Sequence, residues 1–156
     1  MTITALIVAN AIGWATVQLG IARFFVILDP IRFHDLALYQ VGDWEIRLYR
    51  TVRVRSWKRW LPDGATWVGS NFSKKRLKRR DADYLCEFEI ETRRAELSHW
   101  IAILTLPGFL LWNPFPAWPL LSLYALGANL PCIVAQRYNR HAIRRIFRSS
   151  HSDVRV

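Results

Sequence analysis

The stretch Glu91-Thr-Arg-Arg-Ala-Glu-Leu-Ser-His-Trp100 gathers two carboxylates, two guanidinium groups and an imidazole just before a long apolar block. On a helix, residues three and four apart share a face, so Thr92, Glu96 and His99 line up. A carboxylate one turn from an imidazole can hold its tautomer and stabilise the imidazolium, which is what a general base needs. Arg93 and Arg94 lie on adjacent faces, and Glu91 can pair with one of them. A second polar stripe follows helical spacing further along: Asn129, Cys132, Gln136, then Asn139 or Arg140. Amides on one face of a membrane helix usually point into the bundle. Each residue also has a plainer reading. His99 can snorkel at an interface, Glu and Arg at a helix start can cap and pair, and Asn129 alone can be interhelical glue.

Composition decides which elements must carry these groups. Hydrophobic residues make up 52% of the 156, yet Lys and Arg outnumber Asp and Glu by 22 to 12. The two populations segregate into charge-free and basic blocks, as in a membrane protein. Residues 1–22 carry no charge. They lack a basic leader and a small-x-small cleavage site, so they read as an uncleaved first span at about 3–28. Residues 97–136 are also free of formal charge and are long enough for two spans. Their middle, Trp112-Asn-Pro-Phe-Pro-Ala-Trp-Pro119, cannot continue a helix and carries two Trp suited to the headgroup level. The expected fold is one all-α integral membrane domain over 1–156. It has spans at about 3–28, 97–113 and 118–137, a basic interfacial segment at 29–96 and a basic tail at 138–156.

The Arg- and Lys-rich segments 47–94 and 137–148 place the middle and the C-terminus on the cytoplasmic side, with the N-terminus outside. Both polar clusters then open toward the cytoplasm. Residues 44–60 alternate like a strand. They also read as a helix with Trp44, Leu48, Val52 and Arg55 on one face and Trp57 and Trp60 as an aromatic rim. The favoured expectation is an amphipathic helix on the inner leaflet, ended by Pro62-Asp63-Gly64. The run Lys74-Lys-Arg-Leu-Lys-Arg-Arg80 reads as a lipid-facing topogenic patch before it reads as a nucleic-acid site. Cys86 and Cys132 fall on opposite sides of a span, which argues against a disulfide, and no spacing suggests zinc.

The motif at 91–100 closely resembles the Glu-Thr-[Lys/Arg]-Arg-Ala-Glu-Leu-x-His-Trp motif of the glycosyl-4,4'-diaponeurosporenoate acyltransferase family. Asn129-Leu-Pro-Cys-Ile-Val-Ala-Gln-Arg-Tyr-Asn-Arg140 resembles that family's second motif, Asn-x-Pro…Gln-Arg-Tyr-Asn-Arg. Trp57-Lys58, Leu61 and Asp63-Gly64 resemble its Trp-Lys…Leu-x-Asp-Gly element, and Trp14, Gln18-Leu19 and Ile21-Ala22 echo its first span. Residues 69–88 and the tail after Arg140 depart from the pattern.

The resemblance implies transfer of a fatty acyl group to a sugar hydroxyl on a lipidic acceptor. The donor would be acyl-CoA or an acyl carrier protein thioester, with no bound cofactor or metal. On that reading His99 is the base and Glu96 orients it. Arg94 or Arg137, with Asn129 or Gln136, donates to the oxyanion. Trp57, Lys58 and the basic patch hold the donor's phosphates. Glu91, Arg93, Trp100, Tyr138, Asn139 and Arg140 complete the substrate surroundings. The implied setting is a bacterial cytoplasmic membrane, with membrane lipids and the glycosylated acceptor as partners and no nucleic acid. The sequence does not fix a homo-oligomeric state. The main alternative is a small non-catalytic membrane subunit that binds lipid or scaffolds larger enzymes; a second is the same chemistry on another glycolipid or a cell-envelope sugar.

Overall fold

The computed structural model describes residues 2–33, 41–62, 64–69, 72, 77–79 and 81–152. Among them there is no strand, and three helical stretches are long and apolar enough to cross a membrane: Ile3–Ile27, Ala82–Trp112 and Phe115–Ile146. The chain is a three-span helical membrane protein. Its apolar side chains point outward in the way lipid-facing helices require. Ile3, Ile7, Ile12 and Ile27 of the first helix and Leu120 and Leu123 of the last are exposed, while conserving space inside for polar groups.

Helix α1 spans Ile3–Ile27, with the Thr2 hydroxyl accepting from the Ala5 N–H at 3.2 Å. Helix α5 (Ala82–Leu104) is capped by Asp81, which accepts from the Tyr84 N–H at 3.1 Å. The Glu91–Trp100 motif was expected at a helix start; it lies well inside α5 instead, because the cap sits at Asp81. Pro107 then interrupts the helix. Its missing N–H and its ring end α5 at Leu104, and α6 (Leu106–Trp112) resumes with the proline in its first turn. Asn113 and the short 3-10 turn Phe115–Ala117 reverse the chain, as the proline-rich turn predicts, and α7 runs from Trp118 to Ser152.

Along its length the bundle is layered. At the hairpin end Trp14 stacks on Phe109, with centroids 4.2 Å apart, over Ala125. Asn10 and Asn113 exchange amide hydrogen bonds of 2.8 and 3.0 Å, tying α1 to the turn. At the basic end Leu85, Phe88 and Ile143 form a second apolar cluster, joined by Phe72 and Tyr84. The layer between them is polar.

The segment before α5 carries the largest departure from expectation. Residues 44–60 are not one continuous helix. Helix α2 (Asp43–Thr51) stops at Val52, and Arg53 takes a left-handed conformation, φ +50°. Helix α3 (Val54–Trp57) and a 3-10 turn (Lys58–Trp60) follow in a new direction. The Trp57 indole N–H closes the break by donating to the Val52 carbonyl at 3.0 Å. Helix α2 is nonetheless amphipathic in the expected sense. Trp44, Leu48 and Val52 are exposed, while Glu45 and Tyr49 are buried. Short helix α4 (Gly64–Trp67) is held to the end of α1 by the Arg23 guanidinium, which donates to the Val68 carbonyl at 3.0 Å. Gly69 turns the chain there with φ +88°, a conformation that favours glycine. Asp63 of the predicted turn and most of the 74–80 basic run lie outside the described residues.

Candidate functional site

A cavity of about 230 Å³ lies in the polar layer, walled by α1, α5, α7 and the 58–67 segment. Small side chains make the room: Ala22, Ala95, Ala102, Ala128 and Ala135 all line it. Leu19 and Trp67, both exposed, stand at its rim. Of the expected site residues, Lys58, Arg94, His99, Asn129, Gln136 and Asn139 face it together. His99 lies thirteen residues before Trp112 through α5 and α6, or roughly 20 Å at 1.5 Å per residue, so the cavity sits deep relative to the hairpin.

The imidazole geometry is specific. His99 Nδ1 is 2.8 Å from Asn129 Oδ1. The Asn129 amide is itself fixed, because its Nδ2 donates to the Ala125 carbonyl at 2.9 Å. A carbonyl can only accept, so the amide nitrogen must face Ala125 and the oxygen must face the ring. Nδ1 therefore carries a proton and donates, and in the neutral ring the lone pair is then on Nε2. Asn129 is 1% exposed, so the lock is shielded from water.

The sequence assigns this orienting role to Glu96, and here the structure differs. Both Glu96 oxygens are taken up by α7: Arg137 Nη1 donates to Oε1 at 2.9 Å, and Arg140 Nη2 donates to Oε2. The Trp100 indole also donates to Oε1, at 3.4 Å. Glu96 and Arg140 are 1% and 0% exposed. A carboxylate this deep is stable only if fully paired, and two guanidinium groups one turn apart on α7 outcompete a neutral imidazole on its own helix. Glu96 thus acts beneath the cavity, welding α5 to α7.

Arg137 extends the weld to α2. Its Nε and Nη2 donate to the two oxygens of Glu45 at 2.8 and 2.9 Å, in a bidentate fork. Glu45 also accepts from the Gly42 N–H at 3.0 Å. Burial raises the Glu45 pKa, but these donors outweigh it and hold the carboxyl below the ordinary glutamate range. The sequence reading missed Glu45; a glutamate three residues after Gly42, at a helix start, was the available signal. A parallel lattice joins Glu89 to Arg93 at 2.6 Å and to Arg144 at 2.9 Å, and Arg93 reaches the Phe33 carbonyl at 3.0 Å.

The other expected residues divide clearly. Arg94 is held against Glu91 at 2.6 Å and lines the cavity, so Glu91 positions it from behind. Lys58 donates to Asn139 Oδ1 and sits 4.8 Å from the Tyr138 ring centroid. Burial, and then the nearby Arg55 charge, push the Lys58 ammonium below its usual range. Arg137 and Arg140, expected at the substrate, instead belong to the ionic weld. Trp57 turns to a separate apolar groove with Leu48, Val52 and Pro131, and Trp100 is exposed. Tyr138 supports Lys58 and meets Tyr49 edge-on. Gln18, which the sequence reading left without a role, faces the cavity from α1. Among the described residues, no group of three or more His, Cys, Asp or Glu is placed to hold a metal ion.

The arrangement supplies a tautomer-fixed imidazole, a guanidinium and an ammonium lining one cavity. It suits proton abstraction from a hydroxyl next to a site where negative charge develops.

Comparison with known proteins identifies relatives over most of the chain. A family model described as glycosyl-4,4'-diaponeurosporenoate acyltransferase matches residues 35–149. A protein of that name from Staphylococcus aureus (strain USA300) is 35% identical over 149 residues, covering 86% of this chain and 84% of the relative. One from Staphylococcus haemolyticus (strain JCSC1435) is 27% identical over 131 residues, covering 81% and 76%. No solved structure matches.

Proposed function

The chain belongs to the glycosyl-4,4'-diaponeurosporenoate acyltransferase family, and on that premise we propose that it moves a fatty acyl group from an acyl thioester to a sugar hydroxyl of a glycosylated lipid, in first place a glycosylated carotenoid. The observation that carries the reading is the His99–Asn129 pair inside the cavity. A sugar hydroxyl is a poor nucleophile at neutral pH, and Nε2 of a ring whose Nδ1–H is fixed is placed to take its proton.

The acceptor oxygen attacks the thioester carbonyl while its proton passes to His99 Nε2. A C–O bond forms and the carbonyl oxygen becomes an oxyanion, beside the Arg94 guanidinium that Glu91 holds in place. The C–S bond then breaks, and the leaving thiolate takes the proton back from the imidazolium. Base assistance of this kind typically contributes about 10²–10⁴ in rate, and one oxyanion donor about 10²–10³. Lys58, at the end of the cavity nearest the basic residues, attracts the donor's phosphate-bearing carrier. The acceptor enters from the bilayer past the Leu19 and Trp67 rim. Set in a bacterial cytoplasmic membrane with its basic end inward, the site meets a thioester made in the cytoplasm.

The test uses purified full-length protein in nanodiscs. Radiolabelled acyl-CoA is offered with a glucosylated carotenoid, a colourless glycolipid and an unglycosylated long-chain alcohol. Label appearing in the glucosylated carotenoid supports the reading. Label only in the colourless glycolipid keeps the chemistry and changes the acceptor. No transfer to any of the three, from either acyl-CoA or acyl carrier protein, overturns it.

A further inference from the structure

Two side chains that line the cavity carry a buried polar atom with no hydrogen-bond partner: Nε2 of Gln18 on α1 and Oε1 of Gln136 on α7. Other amides of the bundle are paired. Asn10 and Asn113 satisfy each other, Asn129 bridges His99 and Ala125, and Asn139 accepts from Lys58. A buried polar atom left without a partner costs about 1–3 kcal/mol, so two in one cavity mark a place for a polar ligand or water.

From this contrast we infer that Gln18 and Gln136 form the subsite that reads the hydroxyls of the acceptor's sugar, a role that rests on the acyl-transfer reading of the same cavity. The unpartnered atoms are one donor and one acceptor, and a sugar hydroxyl both accepts and donates. Gln136 lies seven residues beyond Asn129, two turns along the same face of α7, or about 10 Å. A hexose whose attacking hydroxyl lies at His99 bridges that distance with a Gln side chain reaching toward it. Gln18 lines the cavity from α1, beside Leu19 at the exposed rim where a lipid-borne sugar would enter. Trp67 at the rim offers the flat apolar surface that the ring's C–H face prefers. An acyl chain has no use for either amide.

The experiment measures binding of octyl glucoside and of an octyl polyethylene glycol ether to the full-length protein in nanodiscs, by tryptophan fluorescence. It compares wild type, Gln18→Met and Gln136→Met, which keep side-chain length and lose the amide. Wild type should prefer the glucoside, and each variant should lose about three- to tenfold of that preference, with acyl-CoA affinity unchanged. Circular dichroism and thermal melts confirm that the variants fold. The inference is overturned if the preference survives both substitutions, if both probes weaken equally, or if acyl-CoA affinity falls instead, which would assign the amides to the donor's arm. Glucoside preference that both variants lose, in a wild type that transfers no acyl group, would support the subsite and remove the transferase reading.

Discussion

Replacing Asn129 with Leu should disable the base without dismantling the bundle. The Asn129 oxygen is the acceptor for His99 Nδ1 at 2.8 Å, and Asn129 itself is 1% exposed. Without it, keeping the proton on Nδ1 leaves a buried N–H unpaired, at about 1–3 kcal/mol. The ring escapes that cost by moving the proton to Nε2, where it can no longer accept one from the acceptor. The productive tautomer is then disfavoured by the same amount. At about 1.4 kcal/mol per tenfold, kcat should fall roughly 5- to 150-fold, with acceptor KM within about threefold of wild type. Asn129→Asp loses the donor to Ala125 but keeps an acceptor for Nδ1, now an ionisable one that can stabilise the imidazolium, so its rate should exceed that of Leu. The assay is steady-state acyl transfer in nanodiscs, with melting temperature as the check on folding. A folded Asn129→Leu protein with kcat within twofold of wild type would refute the tautomer argument, as would an Asp variant slower than Leu.

Three further outcomes follow from the supporting layers. Glu45→Gln should weaken docking of α2 on α7, and the sign of its pH dependence is fixed. Glu45 has a lowered folded pKa, so its contribution is present above the ordinary glutamate range and disappears as pH falls through the folded value. The melting-temperature gap between wild type and Glu45→Gln should therefore close below about pH 4. Asn113→Leu should cost about 1–2 kcal/mol in thermal unfolding, and a double-mutant cycle with Asn10→Leu should return a coupling near 1 kcal/mol. Gly69→Ala should loosen the attachment of α4 to α1: its φ of +88° is strained for an L side chain, and the new Cβ would meet Arg23 Nη1 at 3.2 Å. Faster amide exchange over 64–69 is the readout, with a loss of about 1 kcal/mol.

The global architecture was legible because membrane insertion is dictated by long composition blocks. Charge-free stretches and the proline-rich turn at 112–119 are such blocks, and three spans follow from them. The start of α5 was hidden. Residues 82–96 are charged, so the hydropathy signal begins only near Leu97, while the true marker is one capping aspartate, Asp81. The break at Arg53 had no glycine or asparagine to announce it. Within the site, helical spacing brought His99 and Asn129 forward as members of two polar stripes. It also put Glu96 beside His99, which is a correct statement about the helix face and a misleading one about partners. The partner was decided by α7, whose Arg137 and Arg140 bind Glu96 from another element. Pairing across helices depends on rotation and depth, and the periodicity of one helix carries neither. Glu45 was overlooked, and Gln18 named without a role, for the same reason: their places come from Arg137 and from the cavity, not from neighbours in sequence.

The most direct test of the central claim is single-turnover acyl transfer by wild type and His99→Ala in nanodiscs, each checked for its melting temperature and helical content. Acyl-CoA is held at saturation and the preferred glycosylated acceptor is supplied. Removal of the base predicts a fall of about 10²–10⁴ in the transfer rate with acyl-CoA binding intact. A folded His99→Ala protein that transfers within about threefold of the wild-type rate would contradict it, and the chemistry would then belong to another group in the cavity.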